Sequence, residues 1–431
     1  MTFIPRDSSQ DRQPEITAEG EARIDAEGRL VLPDSLREQY GLVPGARVHL
    51  DTERNGLYLR RTTSVPAKVY IEATNNCNLA CRTCVRNRWE EAIGFMDEAT
   101  FQQVIEGVST FTPVPEIFFG GLGEPLAHPD IVRMVARAHK VSPSVALITN
   151  AMLLTPTMSH DLIEAGLGTL WVSLDGADND SYDDIRTGAA WRQVIDHITA
   201  FRDARGTSRP PHPELGIAFV AMRSNIQQLP RLLSLGHDLG ASRFIVTNVM
   251  AYSEALCAER LYTPAVTTTR DMPATPDFPL VTLPAMDLNP TTRDALYRLL
   301  RTRPNLTLGD RKFEHQRSSC PFVEGGATAI AWTGDVSPCI PLMHDHSSYL
   351  DKYERISRSY AVGNVNDTGF AELWHHPDYV NLRQRVQAFD FAPCTLCGGC
   401  DLSADNETDC FGNPFPTCGG CLWAQGVIQC P

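Results

Sequence analysis

The sequence predicts an α/β protein: a parallel sheet with helices outside it, preceded by a small β-rich unit and followed by an irregular, cysteine-rich segment. Three observations carry this. Between Lys68 and Asn248 six short apolar runs alternate with helical patterns, the order expected of parallel strands joined by crossover helices. Between Ala22 and Arg60 the apolar residues come instead in short alternating runs, the period of half-buried strands. Nine of the thirteen cysteines fall between Cys320 and Cys430, a density that in a chain without an export signal points to metal rather than to disulfides.

A chain of 431 residues exceeds one ordinary core and divides into two to four units. Residues 1–19 are polar and aperiodic and read as a flexible leader. The stretch 20–64 follows, with strands near 22–25, 28–33, 46–50 and 56–60. One short helix from Asp34 to Gly41 is capped by Asp34 or Ser35 at its start and by Gly41 at its end. The main body is expected over 66–310 and the cysteine-rich part over 311–431.

In the main body the predicted strands begin at Lys68, Glu116, Ser144, Thr169, Leu215 and Arg243. The helices between them run near 96–111, 131–139, 160–166, 191–201 and 229–240. From Ala251 to Pro290 the composition shifts to Thr, Pro and Ala, which predicts a long loop over one end of the sheet.

Net charge is −14, which argues against a broad non-specific nucleic-acid surface. No run of about 18 apolar residues is present to span a membrane, and the first residues lack the apolar core of a secretory signal. A cytoplasmic location is therefore expected, with a protein, peptide or small molecule as partner.

The chemistry is concentrated at Cys77-Asn-Leu-Ala-Cys81-Arg-Thr-Cys84, directly after the first predicted strand. A structural zinc site takes four ligands, commonly in C-x₂-C pairs. Three thiolates on one loop suit a [4Fe–4S] cluster, in which each cysteine holds one iron and the fourth iron stays open for chemistry. After the second strand comes Phe119-Gly-Gly-Leu-Gly-Glu-Pro125, whose glycines permit close approach of a ligand and whose Glu can accept hydrogen bonds from an ammonium group. The third strand ends on Thr149-Asn150 and the fourth on Ser173-Leu-Asp175, side chains suited either to sugar hydroxyls or to capping the next helix.

These motifs resemble those of the radical S-adenosylmethionine (radical SAM) superfamily. The resemblance implies a partial (β/α)₆ barrel with its reactive centre at the C-terminal strand ends, as in full barrels. It implies that Cys77, Cys81 and Cys84 hold a [4Fe–4S] cluster whose open iron takes the amino and carboxylate groups of S-adenosylmethionine, and that reductive cleavage there yields a 5′-deoxyadenosyl radical. By the same match Gly121, Gly123, Glu124, Asn150, Ser173 and Asp175 are the expected S-adenosylmethionine contacts. An electron donor such as ferredoxin or flavodoxin is implied with them.

The distal field begins with Cys320-x₁₃-Gly334-x₄-Cys339 and continues through Cys394, Cys397, Cys400, Cys410, Cys418, Cys421 and Cys430. It resembles the SPASM extension, which holds one or two auxiliary [4Fe–4S] clusters. The second half departs from the usual spacing, with an acidic stretch between Cys400 and Cys410. Two clusters need eight thiolates and nine cysteines are present, so at least one is spare or plays another role. Zinc at Cys418-x₂-Cys421 is the alternative reading.

Gly28-Arg-Leu-Val-Leu-Pro33 and Leu42-Val-Pro-Gly45-Ala-Arg-Val resemble an AbrB-type swapped-hairpin domain. Such domains pair between protomers, and many bind DNA. Residues 21–62 carry seven Arg and seven acidic residues, without the positive excess of a DNA-binding face, so homodimerisation or partner docking is the expected role. The domain order and the ending Cys418-Gly-Gly-Cys421-Leu-Trp-Ala-Gln-Gly-Val-Ile-Gln-Cys430-Pro431 resemble maturases associated with tungsten-cofactor oxidoreductases of the aldehyde:ferredoxin type. The resemblance implies a radical enzyme that modifies a protein, peptide or cofactor precursor. A peptide-crosslinking enzyme and, from a different class, a redox-responsive DNA-binding regulator are the alternatives.

Overall fold

The structure is a computed structural model. It describes residues 22–39, 49–53, 56–60, 63–89, 91–206, 212–262, 280–284, 286–301, 305–308, 319–350, 353–392, 394 and 400–431. The chain forms two compact units, Met1–Thr62 and Thr63–Pro431.

In the first unit, β1 (Arg23–Ile24) and β2 (Leu30–Val31) pair antiparallel. The turn between them is fixed by Asp25, whose carboxylate accepts from the Glu27 and Arg29 amides at 3.0 and 2.8 Å. Helix α1 (Asp34–Gln39) follows, then the antiparallel pair β3 (His49–Glu53) and β4 (Gly56–Arg60). The expected leader 1–19 and the link from α1 to β3 lie outside the described residues.

In the second unit, β5 (Lys68–Ile71) leads into the cysteine loop. Then come α2 (Glu98–Ser109), β6 (Glu116–Phe119), α3 (Ile131–Val141), β7 (Val145–Thr149), α4 (Pro156–Glu164) and β8 (Thr169–Ser173). They continue as α5 (Asn179–Ile185), α6 (Trp191–Ala204), β9 (Glu214–Ala221), α7 (Leu229–Asp238) and β10 (Arg243–Asn248). Strands β5 to β10 are parallel and lie in sequence order. The helices form because each carries one apolar stripe: in α2 the buried side chains are Thr100, Phe101, Val104, Ile105 and Val108, and Asp97 caps it by accepting from the Thr100 amide at 2.7 Å. Phe101 then meets Phe119 of β6 with ring centroids 6.2 Å apart, which fixes the helix against the sheet.

The sheet is wider than six strands. After α8 (Glu254–Cys257), strand β11 (Leu280–Leu283) pairs parallel with β10. Beyond α9 (Arg293–Arg301), strand β12 (Asn305–Leu308) pairs parallel with β11. The stretch 251–290, expected as one loop, therefore contains regular structure, although residues 263–279 are outside the described set. The expected boundary near 310 also lies outside it.

Beyond that point α10 (Pro321–Glu324) and β13 (Ala327–Ile330) return the chain to the same sheet, β13 pairing parallel with β5. Next come β14 (Asp335–Ser337), the hairpin β15 (His346–Leu350) and β16 (Tyr353–Ser357), β17 (Gly363–Asn364), α11 (Phe370–His375) and α12 (Pro377–Ala388). Among the described residues the sheet order is β12-β11-β10-β9-β8-β7-β6-β5-β13-β14-β17.

The final residues show that the six central strands curl. The Gln429 amide donates to Thr247 Oγ1 of β10 at 2.9 Å, while the Pro431 oxygen accepts from Lys68 Nζ and Tyr70 Oη of β5 at 2.9 and 2.7 Å. From the Gln429 amide to the Pro431 oxygen the chain spans about 10 Å at full extension, so crossing the about 24 Å that five spacings of a flat sheet impose would need chain, side chains and hydrogen bonds all in one line. The Lys68 charge also bears on Arg243 of β10.

Candidate active site and metal centres

The cysteine loop is held from four sides. Thr74 Oγ1 donates to the Gly94 carbonyl at 2.5 Å, and the Asn75 amide group exchanges two bonds with Ala92 and Gly94. The Ala80 and Arg82 amides donate to the carbonyls of Thr187 and Ile185, just past and at the end of α5. Asn87 Nδ2 caps the Cys81 carbonyl at 2.8 Å. From the far side, the Glu124 amide donates to the Asn76 carbonyl at 2.7 Å.

That last bond brings the glycine turn onto the loop. A Cβ on Gly123 would stand 2.0 Å from the Thr74 carbonyl oxygen and 2.7 Å from that of Asn76, so only glycine allows this approach. Gly121 faces Glu72 with similarly little room. Glu124 is buried, and both its oxygens are engaged: Oε1 accepts from Thr149 Oγ1 and the Leu126 amide, and Oε2 from the Asn150 amide at 2.8 Å. Burial raises its pKa, and those bonds oppose the rise. Glu124 thus ties the glycine turn to the end of β7, and what lone-pair capacity is left beyond these three bonds is small.

Asn150 continues the connection. Its Nδ2 donates to Asn78 Oδ1 at 2.9 Å and lies 3.7 Å from Cys77 Sγ. The next residue, Ala151, has φ 62°, a left-handed conformation that costs energy for any residue with a Cβ. It is pinned by bonds from its amide to Thr149 Oγ1 and from His197 Nδ1 to its carbonyl, at 2.9 and 2.8 Å.

Ser173 ends β8, and Asp175 follows it, fully buried. Asp175 Oδ1 accepts from the Val220 amide at 2.8 Å, and Oδ2 pairs with an Arg186 guanidinium nitrogen at 2.8 Å. Arg186 was invisible to sequence reasoning because it lies in no motif. Burial opposes its charge, but the Asp175 and Cys81 charges outweigh that and hold its pKa above the ordinary arginine value. Asp175 therefore helps place a cation beside the cysteine loop, a task the sequence could not distinguish from sugar binding.

Burial pushes the thiols of Cys77, Cys81 and Cys84 up, Cys81 to about 11, while Arg86 and Arg186 pull in the other direction. Thiols so placed become thiolates when a metal supplies the compensating charge. Among the described residues no three His, Cys, Asp or Glu groups converge as ligands of one ion would; ligands of a cluster, each on its own iron, need not converge. The donor set fits a [4Fe–4S] cluster.

The distal cysteines sort into two neighbourhoods and one outlier. Cys320, Cys339, Cys418 and Cys421 bear on one another electrostatically, all raised by burial first and Cys320 to about 12. The Gly419 between the last two has no alternative, since a Cβ there would meet the Ala392 carbonyl oxygen at 1.8 Å. Cys394 is raised by burial and responds to Cys400 and Cys410, with the Arg355 guanidinium opposing. Cys397 lies outside the described residues. Cys430 responds to burial, to a hydrogen bond from Trp423 Nε1 at 3.4 Å and to Lys68, and among the described residues to no other cysteine. No sequence spacing marked it as the odd one.

Comparison with known proteins defines the class. The family model for the radical SAM superfamily matches residues 71–209, and that for the SPASM iron–sulfur cluster-binding domain matches 320–401. A PqqA peptide cyclase from Streptomyces rochei is 31% identical over 370 residues, covering 82% of this chain and 89% of that protein. The chain belongs to the radical SAM superfamily, in the branch that carries a SPASM domain, and it is an enzyme with [4Fe–4S] clusters and S-adenosylmethionine as its cofactors.

A tungsten-containing aldehyde ferredoxin oxidoreductase cofactor-modifying protein from Pyrococcus furiosus is 28% identical over 370 residues, covering 84% of this chain and 96% of that one. The fold is shared with Streptococcus suis SuiB bound to S-adenosylmethionine (TM-score 0.52, 17% identity, 78% of this chain and 71% of that one). It is shared also with anSMEcpe with bound AdoMet (TM-score 0.51, 16% identity, 80% and 92%). Among the described residues no helix is long and apolar enough to cross a membrane.

Proposed function

We propose that the chain is a maturase for a tungsten-containing oxidoreductase of the aldehyde:ferredoxin type, modifying a protein, peptide or cofactor precursor. The observation that supports this is the likeness to the Pyrococcus furiosus cofactor-modifying protein over 96% of that protein's length. Cys77, Cys81 and Cys84 would hold the cluster, and Cys320, Cys339, Cys418 and Cys421 an auxiliary one. Cys394, Cys397, Cys400 and Cys410 form the second auxiliary set. When bound and reduced, the first cluster supplies the electron that cleaves S-adenosylmethionine.

The chain's own residues then have positional work. Gly121 and Gly123 let the turn close onto Glu72 and the cysteine loop so that its backbone can face the ligand, and Glu124 and Asn150 lock the turn to the loop. Arg186, held by Asp175, presents a cation suited to a carboxylate. Ser173 stands at the adjacent strand end for the sugar. The N-terminal unit serves a second protomer or a partner protein rather than DNA, and a small redox protein such as ferredoxin or flavodoxin supplies the electron.

A second reading, radical modification of a peptide, is favoured by the 31% identity to the PqqA peptide cyclase. The test common to both is formation of 5′-deoxyadenosine by reduced, reconstituted protein given S-adenosylmethionine. None should form when Cys77, Cys81 and Cys84 are all replaced by Ala. Transfer of deuterium into 5′-deoxyadenosine from a labelled peptide, but not from a labelled tungsten-cofactor precursor, would select the second reading.

A further inference from the structure

Behind the glycine turn lies a chain of three ionisable side chains, Glu91, His344 and Glu72, which runs from the partly exposed Glu91 inward to two buried groups. His344 is 4% exposed and Glu72 1% exposed. His344 Nε2 meets Glu72 Oε2 at 2.9 Å, and its Nδ1 meets Glu91 Oε2 at 2.5 Å. An ionised carboxylate only accepts hydrogen bonds, so a ring bonded to two of them through both nitrogens carries both protons. Trp89 stands edge-on to the ring at 4.5 Å between centroids and shields it.

The far end of this chain touches the site. Glu72 Oε1 accepts the Leu122 amide at 3.1 Å, and the Glu72 side chain fills the space where a Cβ on Gly121 would go. His344 itself comes from the segment between β14 and β15, five residues after Cys339.

We infer that His344, as an imidazolium clamped between Glu91 and Glu72, is a positioning residue for S-adenosylmethionine: it fixes Glu72, and Glu72 fixes the Gly121–Leu122 turn. This rests on the reading that the turn binds S-adenosylmethionine. The clamp holds while the ring is charged. Burial disfavours that charge, but the hydrogen bonds and charges of Glu72 and Glu91 outweigh it, so the His344 pKa is raised. The other groups nearby are His346, whose Nδ1 meets the His344 carbonyl, and Asp345, which pairs with Arg358. The clamp is thus complete at low pH and opens as pH rises through the raised His344 value.

The test is equilibrium dialysis of labelled S-adenosylmethionine against the reconstituted full chain from about pH 6 to about pH 8.5, with iron content measured in parallel. His344→Gln keeps one hydrogen bond and removes the charge, and is expected to weaken binding about tenfold at the acid end with iron content unchanged. Wild-type affinity should fall with rising pH towards the level of the variant, whose own profile stays flat. Equal affinity of wild type and His344→Gln across the range overturns the inference. So does a loss of the same size at every pH, or a matching loss of iron in both His344→Gln and His344→Ala, since each marks a tie that only supports the fold. Failure of the wild type to bind S-adenosylmethionine at any pH would instead overturn the reading beneath it.

Discussion

Replacing Gly123 by Ala tests how tightly the glycine turn and the cysteine loop are fitted together. The added carbon would lie 2.0 Å from the Thr74 carbonyl oxygen and 2.7 Å from that of Asn76. Both obstacles are backbone, so neither can rotate away. Non-bonded carbon contacts relax at about 3.5 Å, which means the turn and the loop must separate by 1 Å or more. Thr74 is pinned to Gly94, and Asn76 accepts the Glu124 amide, so the separation breaks the bond that registers Glu124 against the loop. Overpacking of this kind costs about 1–3 kcal/mol, and a misplacement of about 1 Å at a reacting centre lowers turnover about 100-fold. The assay is the rate of 5′-deoxyadenosine formation, with iron content and the denaturation midpoint measured beside it. A Gly123→Ala protein that folds, holds full iron and turns over within about threefold of wild type would refute the reasoning, because three-fold is less than about 1 kcal/mol.

Two further predictions address the distal cysteines and the helix framework. Cys339→Ala and Cys418→Ala, taken from one neighbourhood, are expected to lower iron by the same increment of about four per chain, whereas Cys430→Ala leaves iron unchanged. Unequal losses, or a loss with Cys430→Ala, would dissolve the grouping. Asp97→Ala removes the side-chain cap on the Thr100 amide and is expected to destabilise the protein by about 1 kcal/mol in denaturant titration at neutral pH. The Asp97 pKa is lowered, chiefly by the hydrogen bond from the Thr100 amide. Its contribution is therefore present above the ordinary aspartate value of 3.8 and fades as pH falls through the lowered one, so wild type and variant should converge in acid.

Much of the barrel was legible because its signals are local. Six apolar runs at regular intervals define strands wherever the sheet places them, and all six appear as β5 to β10. Strands β11 to β14 are three or four residues long, no shorter than β5 and β6, but they escaped because they lie outside the regular strand–helix alternation that marked those two, β11 within the Thr-, Pro- and Ala-rich stretch. The glycine turn was legible as a motif, yet the task of Glu124 was not. Whether a carboxylate faces a ligand or braces a strand depends on what stands across from it, here Thr149 and Asn150.

The sequence by itself determined the class of chemistry: three cysteines within eight residues of one loop can bind a cluster with one open iron whatever surrounds them. Tertiary structure alone decided which distant residues act with them. Arg186 reaches the cysteines because Asp175, on another strand end, pairs with it, and His344 reaches the glycine turn from far down the chain through Glu72. The distal cysteines among the described residues separate only once the chain has folded, since Cys320 and Cys421 are neighbours across a hundred residues while Cys430, nine residues from Cys421, turns away towards Lys68. Electrostatic and hydrogen-bond partnerships depend on distance in space, and sequence separation carries no information about that distance until the sheet has curled.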